Sequence, residues 1–346
     1  MDSIIRHLAS VGFLAWTIAE TKGLSLQPMS YHILLTIDVE DWFQVENFKQ
    51  WIPFSSWSSH NLRVEKNTHR ILDVLDSSRR GSSLVQDKRL ESSTLDLASS
   101  NQVKATFFVL GWIAKRLPHL VREICRRGHE VASHGYYHAL CKEETPEKLK
   151  KDLTDTKDLL EDILGAPVFG YRAPSFSISD DILKIIADCG YLYDSSYNSF
   201  AMHGRYGHID LSLNGKRGIA LQIPRTQDQV SNAQYPVSGI LYELPISNMK
   251  LRDLILPWGG GAYFRFLPFS LFKMGVRSVL KKQEAYLFYI HPWELDPQQP
   301  RVDAAPMFCQ FRHYTNLGKT VSKLSSFIEA FRDCTFATCY DYLRLR

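Results

Sequence analysis

Three carboxylates stand together near the start of the chain, at the end of an apolar segment. The run HILLTIDV, residues 32–39, is apolar and β-branched, and it continues into Glu40 and Asp41. In an extended backbone Asp38 and Glu40 point to the same side. Carboxylates are costly to bury without partners, so a cation beside them is the economical explanation. The alternative is that they begin a solvated loop.

Two histidines follow a second short apolar segment, in SHGYYH, residues 133–138. His134 and His138 have i, i+4 spacing, and on a helical turn two such imidazoles can bind one metal ion. The HExxH motif of the zincins is absent. Spacing of this kind also arises by coincidence, which is the alternative interpretation.

An arginine and a further histidine extend the set. Arg172, in YRAPS, residues 171–175, could fix a catalytic carboxylate through a bidentate pair. His291 follows the apolar run 285–290 and could act as the general acid for a leaving amine. Taken singly, Arg172 could be a surface residue in a turn and His291 a structural histidine. However, all four segments directly follow predicted strands, which is where β/α barrels carry their active sites.

The elements that would position these residues alternate between strand and helix. Strands are predicted at 32–39, 105–110, 130–133, 168–171 and 191–193. Helices are predicted at 64–75, 118–128, 146–163 and 180–189, with Thr145 and Ser179 as N-caps. This order predicts an α/β fold, with a parallel sheet and helices outside it. Further along, the pattern weakens to strands at 219–223, 242–246 and 285–290 and a helix at 320–333.

Composition excludes several classes of protein. The 346 residues are 45% hydrophobic and 23% charged, as in an ordinary globular protein. A net charge of +4 is too balanced to indicate nucleic acid binding. No apolar run reaches the roughly 18 residues of a transmembrane segment. None of the six cysteines forms a CxxC pair, and a reducing compartment is the default. The GxSxG, Walker and GxGxxG motifs are absent.

The chain is predicted to form one large domain, residues 29–346, after an extension at 1–28. The apolar run 11–19 resembles a weak signal peptide, although Met29 stands where the true start could lie. We expect a bacterial cytoplasmic protein, or a periplasmic or exported one if the first segment is a signal. The polar, serine-rich stretch 77–102 is interpreted as a surface insertion. The part from about residue 200 is expected to be family-specific.

The four motifs together resemble those of the NodB-homology polysaccharide deacetylases of carbohydrate esterase family 4. TIDVEDW (36–42), SHGYYH (133–138), YRAP (171–174) and YIHP (289–292) are similar to that family's motifs in the same order. A closer resemblance is to the bacterial exopolysaccharide- and exosortase-associated subgroup, which has a C-terminal domain of unknown function. It rests on DVEDWFQVENF (38–48), RVEKNTHRILDVLD (63–76), GGGAYFRFLP (259–268), HPWELDPQQPR (291–301) and FRHYTNLGKT (311–320).

The resemblance implies a deformed (β/α) barrel and a divalent metal ion. Asp38 would be the general base, Arg172 would orient it, and His291 would be the general acid. His134 and His138 would bind the metal. Many family members have an adjacent second aspartate as the third ligand, but Val39 occupies that position here. Glu40 is therefore the expected third ligand, and Asp41 is the reserve candidate.

The expected activity is hydrolysis of the N-acetyl group of amino sugars in a bacterial exopolysaccharide, with release of acetate. Zinc fits the ligands, and cobalt, nickel or iron would also accept them. The polysaccharide or oligosaccharide is the expected partner, with substrate contacts from Trp42, Tyr136, Pro174 and Trp293, and the sequence allows a homo-oligomer. The alternatives are hydrolysis of another linear or cyclic amide on the same barrel, and a non-catalytic glycan-binding protein of a polysaccharide assembly system.

Overall fold

Strand β1, His32–Val39, is the central element of the sheet. The computed structural model describes residues 31–78, 102–200, 204–212, 215–226 and 239–345. In it, β1 pairs in parallel with β2, Ala105–Val109, and with β11, Ala285–Ile290. Its first two residues also pair with β12, Thr335–Phe336. Seven of the eight residues of β1 are buried, as its continuous apolar sequence predicts for a strand covered on both faces.

The main sheet runs in the order β11-β1-β2-β3-β4-β5-β8-β7-β6. Pairing is parallel from β11 to β8 and antiparallel for the last two strands. A separate antiparallel hairpin is formed by β9 and β10. The remaining strands are β3, Glu130–Ser133; β4, Gly170–Tyr171; β5, Tyr193–Asp194; β6, Gly215–Arg217; β7, Ala220–Pro224; β8, Ile240–Glu243; β9, Asn248–Leu251; and β10, Leu254–Pro257.

Helices surround this half-barrel sheet, which confirms the predicted α/β class. Thr145 and Ser179 cap their helices through side-chain oxygens that accept backbone N–H bonds, as predicted. The described helices are α1, Val64–Ser77; α2, Gly111–Arg116; α3, Pro118–Arg126; α4, Pro146–Leu164; α5, Asp180–Asp188; α6, Gly261–Phe266; α7, Phe269–Gln283; α8, Met307–Tyr314; α9, Thr320–Ala330; and α10, Cys339–Leu345.

Several boundaries differ from those that the sequence predicts. The strand predicted at 242–246 lies at 240–243, because Pro245 has no N–H to donate to a ladder. The strands predicted at 168–171 and 191–193 are shorter, at 170–171 and 193–194. The hairpin β9–β10 and helices α2, α6, α7, α8 and α10 were not predicted.

Residues 31–346 cluster as one compact unit. Most of the serine-rich stretch 77–102 and the whole extension 1–28 lie outside the described residues. All six cysteines are free. No helix among the described residues is long and apolar enough to cross a membrane.

Candidate active site

A cavity opens where β1, β3 and β11 end, and it is lined by residues from most of the predicted motifs. Parallel strands bring their carboxyl ends to one edge, so residues far apart in sequence meet there. From the motifs it collects Asp38, Glu40, His134, His138, Ala173, Ser175, His291 and Trp293; from the C-terminal part it adds Arg265, Glu294, Arg312 and His313.

Asp38 is fixed by the fully buried Arg172. The Nη1 atom of Arg172 donates to Asp38 Oδ1 at 2.7 Å and to Thr36 Oγ1 at 2.7 Å. Its other donors are used by Ser195, through the carbonyl and hydroxyl oxygens, and its guanidinium lies over the Phe108 ring. Arg172 thus gives Asp38 one hydrogen bond and not the predicted bidentate pair, and the other carboxylate oxygen, Oδ2, lies 3.8 Å from His291 Nε2.

Glu40 lies beside Asp38 and contacts two of the predicted histidines. Its Oε2 is 3.0 Å from His138 Nε2, and its Oε1 is 3.2 Å from His291 Nε2. Burial favours the neutral acid, but attraction to the imidazoles of His138 and His291 outweighs burial and lowers the pKa of Glu40 to about 2. Glu40 is therefore an anion inside the cavity at neutral pH.

The two predicted metal-binding histidines lie in the loop after β3, and not on a helical turn as the spacing suggested. Gly135, with φ of 70°, turns the chain directly after His134, a conformation that favours glycine. The His134 Nδ1 atom contacts the Arg172 carbonyl oxygen at 2.7 Å, which leaves Nε2 for another partner. Burial lowers the pKa of His134 to about 4, so its imidazole is neutral and able to bind a metal. The ring centroids of His134 and His138 are 5.4 Å apart.

His291 is held from the side opposite the carboxylates. Its Nδ1 contacts Glu294 Oε1 at 2.7 Å, and Glu294 Oε2 accepts a bond from Arg265 Nε at 2.6 Å. Burial would lower the pKa of His291, but the negative charges of Glu40 and Glu294 outweigh it and raise the pKa to about 9. His291 therefore carries a proton at neutral pH, on a ring whose Nε2 faces Asp38 and Glu40.

The reserve ligand Asp41 is engaged elsewhere. Its Oδ2 accepts bonds from the backbone N–H groups of Arg63 and Val64, at 2.6 and 2.8 Å, and its Oδ1 accepts from that of Trp42. These contacts tie the end of β1 to the start of α1. Asp41 is not among the residues that line the cavity in the described part of the chain.

The predicted substrate contacts are divided between the cavity and other places. Trp293 lines the cavity, and its ring is stacked between those of His291 and His313. Trp42 is buried against Phe43 and His60. Tyr136 lines a separate cavity beside α4, and Pro174 is buried. That these four residues contact a sugar stays a prediction.

The donor types fit a divalent metal. Glu40 Oε2 is buried and has no partner with hydrogen-bond geometry, and it lies beside the imidazole of His138. A carboxylate oxygen and two imidazole nitrogens are a common zinc donor set. In the described residues, no group of three or more His, Cys, Asp or Glu side chains is placed to hold an ion. Glu40 and His138 contact each other directly, so the donors are adjacent but are not arranged around one centre.

Glu294 and Arg265 are site residues that the motif analysis missed. Glu294 is only three residues after His291 and could have been noticed from that spacing. Arg265 comes from α6 and also donates to the backbone carbonyls of Arg312, His313 and Thr315. Both residues stand in strings that carry the family resemblance, GGGAYFRFLP and HPWELDPQQPR, but their contact with each other depends on the fold.

Comparisons with known proteins find relatives of this chain in two family models. The family model described as polysaccharide deacetylase matches residues 86–193, and a domain of unknown function (DUF3473) matches residues 195–344. A peptidoglycan-N-acetylglucosamine deacetylase of Bacillus cereus is 31% identical over 105 residues, which are 30% of this chain and 49% of the relative. A chitooligosaccharide deacetylase of Sinorhizobium fredii is 35% identical over 99 residues, 28% of this chain and 45% of the relative. The chain thus spans about half the length of these curated relatives.

Two solved structures share the fold over most of both chains. A polysaccharide deacetylase of Mycobacterium smegmatis, itself described as putative, has 19% identity and a TM-score of 0.52, and covers 93% of this chain and 92% of its own. Puue allantoinase has 12% identity and a TM-score of 0.53, and the match covers 92% of this chain and 91% of the allantoinase chain. These likenesses confirm the predicted deformed (β/α) barrel.

Proposed function

We propose that the chain is a metal-dependent hydrolase of N-acetyl groups on amino sugars, in keeping with its match to the polysaccharide deacetylase family model. The observation that carries this proposal is the placement of two side chains in one cavity, the Asp38 carboxylate held by Arg172 and the His291 imidazole held by Glu294. Asp38 Oδ2 and His291 Nε2 are 3.8 Å apart. Both groups line the same cavity, so a base and an acid are available to one bound amide group.

In the proposed reaction, a water molecule attacks the acetyl carbonyl carbon while Asp38 accepts the proton of that water. Arg172 keeps the accepting oxygen directed into the cavity, because its donors hold Asp38 from behind. His291 then gives its proton to the departing sugar nitrogen. The carbon–nitrogen bond breaks, a carbon–oxygen bond has formed, and the products are acetate and the free amino sugar.

We propose that His134, His138 and Glu40 hold the metal, most simply zinc, with cobalt, nickel or iron as the alternatives. When bound, such an ion acidifies water and polarises a carbonyl. Glu40 supplies the negative charge that a family aspartate would provide from the position of Val39. This assignment is supported by its buried Oε2, which lies 3.0 Å from His138 Nε2, and by the engagement of Asp41 by backbone donors.

The substrate that we propose is an acetylated polysaccharide, in keeping with the printed activities of the Bacillus and Sinorhizobium relatives. The sequence resemblance to exopolysaccharide-associated proteins points to an exopolysaccharide of a bacterial host. A cytoplasmic location is part of the proposal.

Acetate release from N-acetylglucosamine oligomers and from host exopolysaccharide tests the activity. Chelator-sensitive release should fall by at least about a hundredfold in Asp38→Asn, since the base is lost. The Asp253→Asn variant, altered at an exposed aspartate, is the control and should release acetate normally. His134→Ala should lose metal and turnover together.

Other results would redirect the assignment. Release from a small cyclic amide but from no acetylated glycan would make the chain an amide hydrolase of another kind. Sugar binding without bound metal and without release would make it a binding protein.

A further inference from the structure

Helix α8, Met307–Tyr314, carries an unusually exposed apolar surface. Met307 is 86% exposed, Phe308 73% and Phe311 61%. Positions i, i+1 and i+4 lie on one side of a helix. Large apolar side chains can be exposed singly without consequence, but three on an eight-residue helix form a patch that is typical of an interaction site.

The patch continues onto the neighbouring helix. The rings of Phe311 and Phe266 stack at 5.4 Å between centroids, and Phe266 lies in a shallow groove together with Phe269. We call this surface, made of Met307, Phe308, Phe311, Phe266 and Phe269, the α8 patch.

Positive charge borders the α8 patch. Arg301 lines the same groove as Met307 and Phe311, and Lys319 and Lys323 line the groove of Phe266. Arg301 and Lys319 are exposed at this border, whereas the Lys323 ammonium donates to the Leu267 carbonyl and Arg312 lines the catalytic cavity. Exposed apolar side chains with flanking cations are the combination that binds the surface of an anionic membrane.

The polar groups around the patch suit a lipid surface better than a sugar. Gln310 Nε2 donates to the carbonyls of Asp303 and Ala305, and the Tyr314 hydroxyl donates to the Pro300 carbonyl and accepts from the Val302 N–H. These are the groups that would otherwise recognise sugar hydroxyls beside the aromatic rings. A lipid surface needs apolar insertion and positive charge, and it does not need those donors.

We propose that the α8 patch docks the protein on an anionic membrane surface, with Met307 and Phe308 inserted between headgroups. The same helix presents Arg312 and His313 to the catalytic cavity. Docking therefore sets the cavity beside the lipid headgroups. A glycan held at that surface would reach the site without first diffusing into solution.

Co-sedimentation of the full chain with vesicles tests the proposal. Vesicles of phosphatidylcholine with phosphatidylglycerol should pellet the protein, and vesicles of phosphatidylcholine alone should not. Binding should weaken as salt rises. The affinity of the Met307→Ser/Phe308→Ser variant for the mixed vesicles should fall by roughly tenfold or more, because most of the inserted apolar area is gone. Arg301→Gln/Lys319→Gln should weaken binding to the mixed vesicles at low salt.

The control is Leu251→Ser/Leu254→Ser, which removes two side chains that are 58% and 52% exposed on the β9–β10 hairpin. It should bind the mixed vesicles as the unaltered protein does. Urea unfolding of every variant checks that the fold is kept. Acetate release from soluble oligomers should be unchanged in both serine variants, which separates this proposal from the proposed reaction.

Three results would overturn membrane docking. The first is no pelleting with the mixed vesicles, or equal pelleting of the Met307→Ser/Phe308→Ser variant. The second is a dimer of the unaltered protein that becomes a monomer in that variant, which would assign the patch to a second copy. The third is a raised KM for soluble oligomers in that variant without change in vesicle binding, which would assign the patch to the glycan.

Discussion

The Nδ1 side of the His291 imidazole is held by a single carboxylate, that of Glu294. Glu294 Oε1 contacts Nδ1 at 2.7 Å and also accepts the backbone N–H of His291, while Oε2 accepts from Arg265. In Glu294→Gln one oxygen becomes an amide nitrogen, so either His291 or Arg265 faces a donor. We expect kcat to fall roughly 10- to 100-fold with little change in KM, because proton donation is impaired and substrate binding is not.

Steady-state kinetics on N-acetylglucosamine oligomers would measure this split. Glu329→Gln, at an exposed surface pair with Arg332, is the matched control. A rise in KM with unchanged kcat would mean that Glu294 shapes the binding surface and not the acid.

At the residue scale, motifs revealed Asp38, Arg172 and His291, but not the two side chains that hold His291. Asp38, Arg172 and His291 stand in short strings at strand ends, where type and spacing are visible in the sequence. Arg265 donates to a residue that lies 29 positions away, and the two are brought together by the packing of α6 against β11. A contact of this kind depends on the whole fold, so no local pattern could show it.

At the scale of elements, the carboxylates after β1 divide into two roles. Glu40 faces the cavity, while Asp41 accepts backbone N–H groups at the start of α1. Asp41→Ala should lower the free energy of unfolding by about 1–2 kcal/mol, because it removes a helix cap, and should leave metal content intact. Glu40→Ala should lose the metal.

Urea unfolding together with metal analysis of the two purified variants would distinguish these roles. If Asp41→Ala loses the metal and Glu40→Ala retains it, the two roles are reversed and Asp41 is the metal ligand.

Strands with long apolar runs were predicted more faithfully than the two-residue strands. Strands β1 and β11 have long apolar runs, and both were predicted with the observed bounds. Strands β4 and β5 have two residues each, which are too few to show the alternation of apolar and polar residues that predicts a strand. Position 170 requires glycine because of a tertiary contact: a Cβ there would lie 2.0 Å from the Tyr193 ring.

At the scale of the molecule, Glu130 joins distant parts of the chain. Its carboxylate accepts bonds from Thr106 on β2, Tyr193 on β5 and the backbone N–H of Tyr340 in α10. Burial raises the pKa of Glu130 from 4.5 to about 7, against these favourable bonds. The folded state therefore keeps a proton that the unfolded state releases.

The sign of the pH dependence follows from that difference. The proton held by Glu130 contributes fully to the free energy of unfolding below about pH 4.5, and this contribution is lost as pH rises to about 7. The loss should amount to about 2–3 kcal/mol. In Glu130→Gln the free energy of unfolding should change less between pH 5 and pH 8 than in the unaltered protein, as measured by urea titration at each pH. An identical change in both proteins would show that Glu130 is not the group that titrates.

The two family-model matches meet within one sheet, between β5 and β8. Those strands pair in parallel, with Tyr193 opposite Tyr242 and Asp194 opposite Glu243. The C-terminal part also supplies β11 and β12, the neighbours of β1.

A fragment of residues 1–194 would expose one edge of β1 and one of β5, and would lack His291. We expect it to be insoluble or to unfold without a cooperative transition, whereas the full chain should unfold in one transition by both tryptophan fluorescence and circular dichroism. Cooperative unfolding of the fragment would instead establish two independent domains, and the catalytic site would then lie between them.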